Sequence, residues 1–246
     1  MKNSVFLLAI PLICFATSSV LADTCIKQKH HTAEYYYGGI VTPEENSEFE
    51  MWFGDKKMAY ISHNRIVIVD AAKDVLVFAN TIDSTFVETT LPFDWANVVD
   101  ESTVGYLARY QMEGTVKDTG KTKTILGRKS KCVEFSTWIE SDGETFNHRD
   151  EVVWVTTDLP IDWEAYAKIQ RNSLKLMNYD EALVRAFLAI KGVPIETEAD
   201  VYQKGFSVKS TERTVEIIET QPETDVYSLP SYFKKKDQLS MADLRG

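Results

Sequence analysis

The chain has 246 residues, with 27 basic against 37 acidic side chains and a net charge of −10 when its four histidines are neutral. That balance excludes nucleic acid and an anionic membrane surface as natural partners, since both would repel the protein at long range. Hydrophobic residues make up 44% and cysteines number three, which excludes a small disulfide-dense scaffold.

Lys2 and Asn3 precede an apolar stretch from Val5 to Ala16, and Thr17-Ser18-Ser19-Val20-Leu21-Ala22 supplies the small residues that a signal peptidase accepts. Cleavage near Ala22 would make Asp23 the mature N-terminus and place the protein in the periplasm or outside the cell. No later segment approaches the roughly 20 apolar residues of a membrane helix, so the mature protein is not expected to be integral to a membrane. Cys14 follows Ile13 and Cys25 follows Thr24, so neither has the preceding small residue that lipidation needs. Loss of Lys2 leaves 26 basic and 37 acidic residues, a mature charge of −11.

Cys14 leaves with the signal. Cys25 and Cys132 then meet an oxidising compartment, where one disulfide between them is the economical reading and two unpaired thiols the alternative. Such a bridge would close a loop of about 107 residues, worth roughly 4–5 kcal/mol in the chain-entropy model. The mature chain shows no linker rich in Pro, Gly or Ser, so one domain is expected over residues 23–226, with 227–246 a surface tail.

Along the chain, His30 and His31 read as solvated residues of an N-terminal segment. Short alternating runs then follow at Tyr35 to Val41, Phe49 to Phe53, Lys57 to Ser62, Arg65 to Asp70, Val75 to Asn80 and Thr85 to Thr89. They predict half-buried antiparallel strands, joined at Gly54-Asp55, His63-Asn64 and Ala71 to Asp74. Val104, Leu107 and Tyr110, with Asp100 upstream, predict a helix within Phe93 to Met112, although Gly105 weakens it. Longer strands are expected at Thr115 to Lys117, Thr122 to Leu126, Lys129 to Glu140 and Glu144 to Thr157, the last two joined by Asp142-Gly143. Strands of this length favour a curved sheet. One helix opens near Asp158 and Pro160 and carries Trp163, Tyr166, Leu174 and Met177. A second, capped by Asp180, runs to Lys191-Gly192 with Leu183, Ala186, Phe187 and Ile190 on one face. Final strands at Ile195 to Gln203 and Phe206 to Thr220 meet at Lys204-Gly205. The tail, with Lys234-Lys235-Lys236, ends in a short helix near Met241 to Arg245. The fold class expected is α+β, mainly β: a long, curved antiparallel sheet, or half-barrel, wrapped around a few α-helices.

Motifs for chemistry are sparse. Gly114 to Thr122 has the ends of a phosphate loop but five residues between its glycines where four are required, and a β-branched exit where a helix should start, so it reads as a hairpin turning at Asp118-Thr119-Gly120-Lys121. His148-Arg149-Asp150 lies inside a strand and lacks the other kinase signatures. His63 and His148 are isolated and no metal-ligand spacing occurs, so no metal and no cofactor is expected. Glu44-Glu45 and Asp180-Glu181 lie where acids are ordinary. Cys132 as a nucleophile would need a histidine that sequence alone cannot place.

The aromatic and apolar side chains Trp52, Tyr60, Phe78, Phe86, Trp138 and Trp154 on strands, with Trp163, Leu174, Met177 and Phe187 on helices, fit an ordinary core. They also fit the lining of an apolar cavity between sheet and helices.

Ile125-Leu126-Gly127-Arg128-Lys129-Ser130-Lys131-Cys132-Val133-Glu134-Phe135 and Asp150-Glu151-Val152-Val153-Trp154-Val155-Thr156-Thr157-Asp158-Leu159-Pro160 resemble an exported bacterial domain family of unknown function, similar in fold to the periplasmic lipoprotein carriers. The resemblance spans about Tyr35 to Thr220. It implies a half-barrel around helices and a role in handling a lipid or other hydrophobic ligand, with no catalytic residues to transfer. Two other classes remain open: an interaction domain docking on another cell-envelope protein through its sheet face or basic tail, and an enzyme whose cleft gathers His148, Asp150 or Cys132.

Overall fold

The computed structural model describes residues 22–141, 143–203, 206–240 and 243. Residues 1–21 of the expected signal segment 1–22, together with Asp142, the Lys204-Gly205 turn and most of the expected helix at 241–245, lie outside the described residues. The chain starts with β1 (Asp23–Thr32), a small hairpin of β2 (Tyr35–Tyr37) and β3 (Ile40–Thr42), and a meander of β4 (Glu45–Gly54), β5 (Lys57–Ser62), β6 (Arg65–Asp70), β7 (Val75–Asn80) and β8 (Thr85–Thr90). Helix α1 (Glu101–Arg109) leads into β9 (Met112–Ile125), β10 (Arg128–Ser141) and β11 (Glu144–Thr156). Helices α2 (Trp163–Leu176) and α3 (Glu181–Ala189) precede β12 (Val193–Gln203), β13 (Phe206–Thr220) and a two-residue β14 (Lys234–Lys235).

All strands but β2 and β3 form one 12-stranded sheet in the order β14-β8-β7-β6-β5-β4-β1-β13-β12-β11-β10-β9. Every ladder is antiparallel except β14 on β8. The sheet is long, curved and open, and the fold is α+β, mainly β. Its first strand lies in the middle: β1 pairs with β4 on one side and with β13, nearly the whole chain away, on the other. The expectation of a solvated segment around His30 and His31 fails here. Backbone pairing on both sides overrides the polar sequence Lys27 to His31.

Alternation of side chains across the strands builds two cores. On the helix face Ile26 joins Phe53, Met58, Val67, Leu76 and Phe78 against Tyr166 and Ile169 of α2. Full burial of a side chain such as Ile26 contributes about 1.5–3 kcal/mol. Farther along the same face, Val133, Phe135, Val153 and Val155 pack on Phe187 and Ile190, with Phe135 and Phe187 stacked at 4.2 Å between centroids. Each helix starts at an aspartate whose carboxylate accepts backbone N–H groups of the first turn: Asp100, Asp162 and Asp180.

The opposite face of β1, β4, β5 and β6 carries Cys25, Trp52, Ala59 and Ile68, covered by Val226, Tyr227 and Leu229 of the C-terminal segment. Tyr227 donates its hydroxyl to Asp23 Oδ2 at 2.8 Å and fits because position 54 is glycine: a Cβ there would stand 2.7 Å from the tyrosine oxygen. The expected surface tail is therefore corrected, over its described part 227–240, to a strap. Beyond Tyr227, β14 adds to β8, Phe233 and Leu239 are buried, Lys235 pairs with Glu88 at 2.8 Å, and Lys236 pairs with the buried Asp243 at 2.6 Å. Apolar residues on either side of the lysine run, Phe233 and Leu239, supply the reason.

Cys25 and Cys132 are both buried and both free, which corrects the disulfide expectation. They sit on β1 and β10, four strands apart, or roughly 19 Å at ordinary strand spacing. A disulfide needs Cα atoms within about 7 Å. The expected turn at Asp118-Thr119-Gly120-Lys121 is also corrected: β9 runs straight through it. Thr119, Gly120 and Lys121 bulge opposite Cys132, Gly120 at φ +71° takes the kink, and Thr119 Oγ1 donates to the Cys132 carbonyl at 2.9 Å.

Candidate functional site

The hairpin β2–β3 stands apart from the large sheet beside the tips of β11, β12 and β13. Its Gly38-Gly39 turn has φ of +60° and +85°, a conformation that glycine adopts without strain. Tyr35 stacks on Phe206 at 5.1 Å with rings 7° from parallel, and Tyr37 leans on the same ring at 4.6 Å. Between hairpin and strand tips opens a cleft of about 750 Å³, within the size range of small-molecule sites. Tyr35, Tyr37, Ile40, Phe146, Tyr202 and Phe206 give it aromatic and aliphatic walls, while Thr42, Glu144, Asn147, His148 and Gln203 add polar groups.

The cleft adjoins a second hollow of about 490 Å³ on the side of the sheet away from the helices, crossing β9 to β13. Thr115, Lys117, Glu134, Ser136, Asp150, Val152, Glu198, Asp200, Lys209 and Thr211 line it from five neighbouring strands. Lys117 pairs with Glu134 at 3.1 Å, and Lys209 with Asp200 at 2.8 Å. The junction of the two hollows is a polar triangle. Ser136 Oγ lies 2.9 Å from His148 Nε2 and donates to Asp150 Oδ1 at 2.7 Å, and His148 Nε2 lies 3.2 Å from the same carboxylate oxygen. Register explains it: Ser136 is the cross-strand partner of Asp150, and His148 lies two residues before Asp150 on β11.

Ser, His and Asp together invite comparison with a hydrolase triad, and the geometry answers it. A triad needs the carboxylate on one imidazole nitrogen and the serine on the other, so that the ring accepts the serine proton. Here both partners meet Nε2, and the hydroxyl proton is directed to Asp150. The arrangement differs from that of a triad and orients hydrogen-bonding groups toward the hollows. Cys132, the other residue of the enzyme reading, is buried away from both linings. Among the described residues no group of three or more His, Cys, Asp or Glu side chains is placed to hold a metal ion.

A second gathering of ionisable groups lies on the helix face. Glu151 pairs with Arg149 at 2.6 Å and His30 with Glu212 at 3.4 Å. Burial raises Glu151 above the usual carboxylate range despite Arg149, and burial followed by the Glu151 charge pushes Tyr179 up to about 12. Beside them Gln28 donates to Thr214 Oγ1 at 3.0 Å. His30–Glu212 and Gln28–Thr214 fasten the β1–β13 ladder from within.

The ten residues predicted to line an apolar cavity do not share one wall. Phe78 lies in the main core, with Tyr60 and Trp163 packed against it. Phe187 stacks on Phe135, Leu174 is buried in α2, and Met177 is 53% exposed at its end. Trp52, Phe86 and Trp154 alternate to the opposite face, where Lys123 sits 4.2 Å above the Trp154 ring. Trp138 occupies the bulge between Thr137 and Ile139. The cleft residues Tyr35, Tyr37, Tyr202 and Phe206 went unselected. Their signal was present as three consecutive tyrosines before Gly38-Gly39, a run in which both faces are aromatic.

No helix among the described residues is long and apolar enough to cross a membrane. No family model matches the chain, and no curated protein matches it. Among solved structures, it is similar to PNGF-II in space group C2, with a TM-score of 0.43 and 11% identity over 91% of this chain and 32% of that one. PNGF-II in space group P21 gives a TM-score of 0.42 and 14% identity over 91% and 33%. This chain thus spans about a third of the length of those structures.

Proposed function

We propose that the protein is an exported, non-enzymatic binding protein that holds the apolar part of a lipid or other hydrophobic ligand in the cleft beneath the β2–β3 hairpin. The observation that carries this reading is the ring cluster of Tyr35, Tyr37 and Phe206 bordering a hollow of about 750 Å³. Aromatic walls with a few polar groups at the mouth are the usual build of a small-molecule site. The curved sheet and its helices suit the carrier resemblance, but the space beneath α2 is occupied by core side chains, which moves the ligand to the hairpin cleft.

The test is recovery of ligand. Protein purified from its own compartment, extracted with solvent and examined by mass spectrometry, is expected to yield a bound amphiphile in about equimolar amount. Phe206→Ala removes the ring on which both tyrosines rest and is expected to weaken a fluorescent fatty-acid probe about 5–30-fold, from about 1–2 kcal/mol of lost aromatic contact. Repeatedly empty protein that also ignores the probe would overturn the reading.

A second reading keeps one specific observation. Tyr36, Ile40 and Val41 are 64%, 70% and 56% exposed on the same hairpin, an apolar tip suited to docking on another envelope protein. The basic tail loses that role, since Lys235 and Lys236 are engaged within the molecule.

A further inference from the structure

The polar trough over β9 to β13 has no part in the apolar reading, yet it meets the cleft at the Ser136–His148–Asp150 triangle. His148 lines the cleft and Asp150 the trough, and the His148 and Tyr202 rings lie 5.5 Å apart. A ligand seated between Tyr37 and Phe206 therefore has a built path along which the rest of it can lie. Five strands at ordinary spacing give that path a span of roughly 19 Å.

Its chemistry selects what lies there. Two lysines face four carboxylates: Lys117 and Lys209 against Glu134, Asp150, Glu198 and Asp200. An anionic group would meet net negative charge, with both lysines already held by Glu134 and Asp200. Most of the carboxylates are matched as well. Glu198 stands 3.8 Å from Arg213, and Asp150 accepts from the neutral Ser136 hydroxyl, so one formal negative charge is left for a cation to answer against a whole row of acceptors for a polyol. What remains is an alternation of donors and acceptors, Thr115, Lys117, Ser136 and Lys209 interleaved with Glu134, Asp150 and Asp200. Each hydroxyl of a polyol both donates and accepts, and so fits such an alternation without bringing charge. Val152 and Tyr202, 39% and 43% exposed, offer apolar surface to the C–H faces of a ring.

We infer that the trough receives the head group of the ligand held in the cleft, and that this head is neutral and polyhydroxylated, of the saccharide class. The inference rests on the cleft reading above and names the class of amphiphile.

The experiment compares one alkyl chain under four heads: decyl maltoside, decylphosphocholine, decyltrimethylammonium and decanoate, each below its micelle concentration, titrated calorimetrically into the full mature protein. Maltoside is expected to bind at least 10-fold tighter than the other three. Asp150→Asn and Lys209→Gln, two exposed positions, are expected to remove that preference while leaving the other heads and the melting temperature unchanged. Phe206→Ala is expected to weaken all four alike. Equal binding of all four heads overturns the head-group inference and leaves the cleft reading standing, as does a preference for a charged head. Binding of free maltotetraose as tight as decyl maltoside supports the trough and sinks the amphiphile reading. No binding of any probe overturns both.

Discussion

Native Cys25 is expected to be almost inert toward a thiol reagent at pH 8. Burial first, and then the charge of Glu50, pushes its thiol up to about 12. An ordinary cysteine near 8.5 is about one quarter thiolate at pH 8, whereas a group near 12 is ionised in about one molecule in ten thousand, a ratio of about 2,000 in reactive species. The cover formed by Tyr227 and Leu229 slows access further. N-ethylmaleimide labelling read by intact mass should therefore give no adduct on the native protein. In urea without reductant Cys25 and Cys132 are each expected to take one adduct, because both are free. Replacing Tyr227 and Leu229 by alanine should open Cys25 alone, located by peptide mapping, and Gly54→Ala should act in the same direction by displacing the Tyr227 ring. Unfolded, unreduced protein that takes up no maleimide would refute the argument, since it would mean a disulfide. So would native Cys25 reacting as fast as the unfolded chain.

Ile26→Ala is expected to cost about 2–5 kcal/mol, roughly 4–20 °C in melting temperature for a domain of this size, while Lys27→Ala on the opposite face leaves the urea midpoint unchanged. Equal effects at the two positions would disprove the register of β1. Asp180→Ala removes the acceptor for Leu183 N–H at 2.7 Å and should cost about 1 kcal/mol, read by urea unfolding. Hydrogen bonds from Ser102 and then Thr103 lower Asp100 to about 2, below its unfolded value near 3.9. Its contribution is therefore full above about pH 4 and is lost as pH falls through about 2. The stability advantage of the wild type over Asp100→Asn should shrink across that window, and a gap that stays constant to pH 2 would contradict the assignment.

The strands from β5 to β8 were legible in the sequence because each is a short run rich in apolar or β-branched residues bounded by turn formers, and they appear at the predicted positions with shifts of a residue or less. Asp100 and Asp180 mark the starts of α1 and α3, although α1 fills nine residues of the broader predicted segment, whereas α2, expected to open near Asp158 and Pro160, starts only after Asp162. β1 was not legible. Its residues from Lys27 to His31 are polar on both faces, and nothing local reveals that Gln28 and His30 meet Thr214 and Glu212 from the far end of the chain. The strap hid for a similar reason: Tyr227, Leu229, Phe233 and Leu239 are too widely spaced to form a period. The trough hid more deeply. Ser136, His148, Asp150 and Lys209 come from three strands, and a polar residue on an outward face carries no mark of being gathered.

The place of the first strand bears on how the molecule assembles. Asp23 pairs with Thr220, a separation of 197 positions, so the two halves of the sheet cannot be zipped together until β13 has been synthesised. Throughout that interval the newborn N-terminal strand is an uncovered border, open to any stray chain that offers a partner. Lys27, Lys29, His30 and His31 along it are the charged and polar residues that discourage such mispairing. A sequence that looks wrong for the centre of a sheet is suited to a strand that must first wait at its margin.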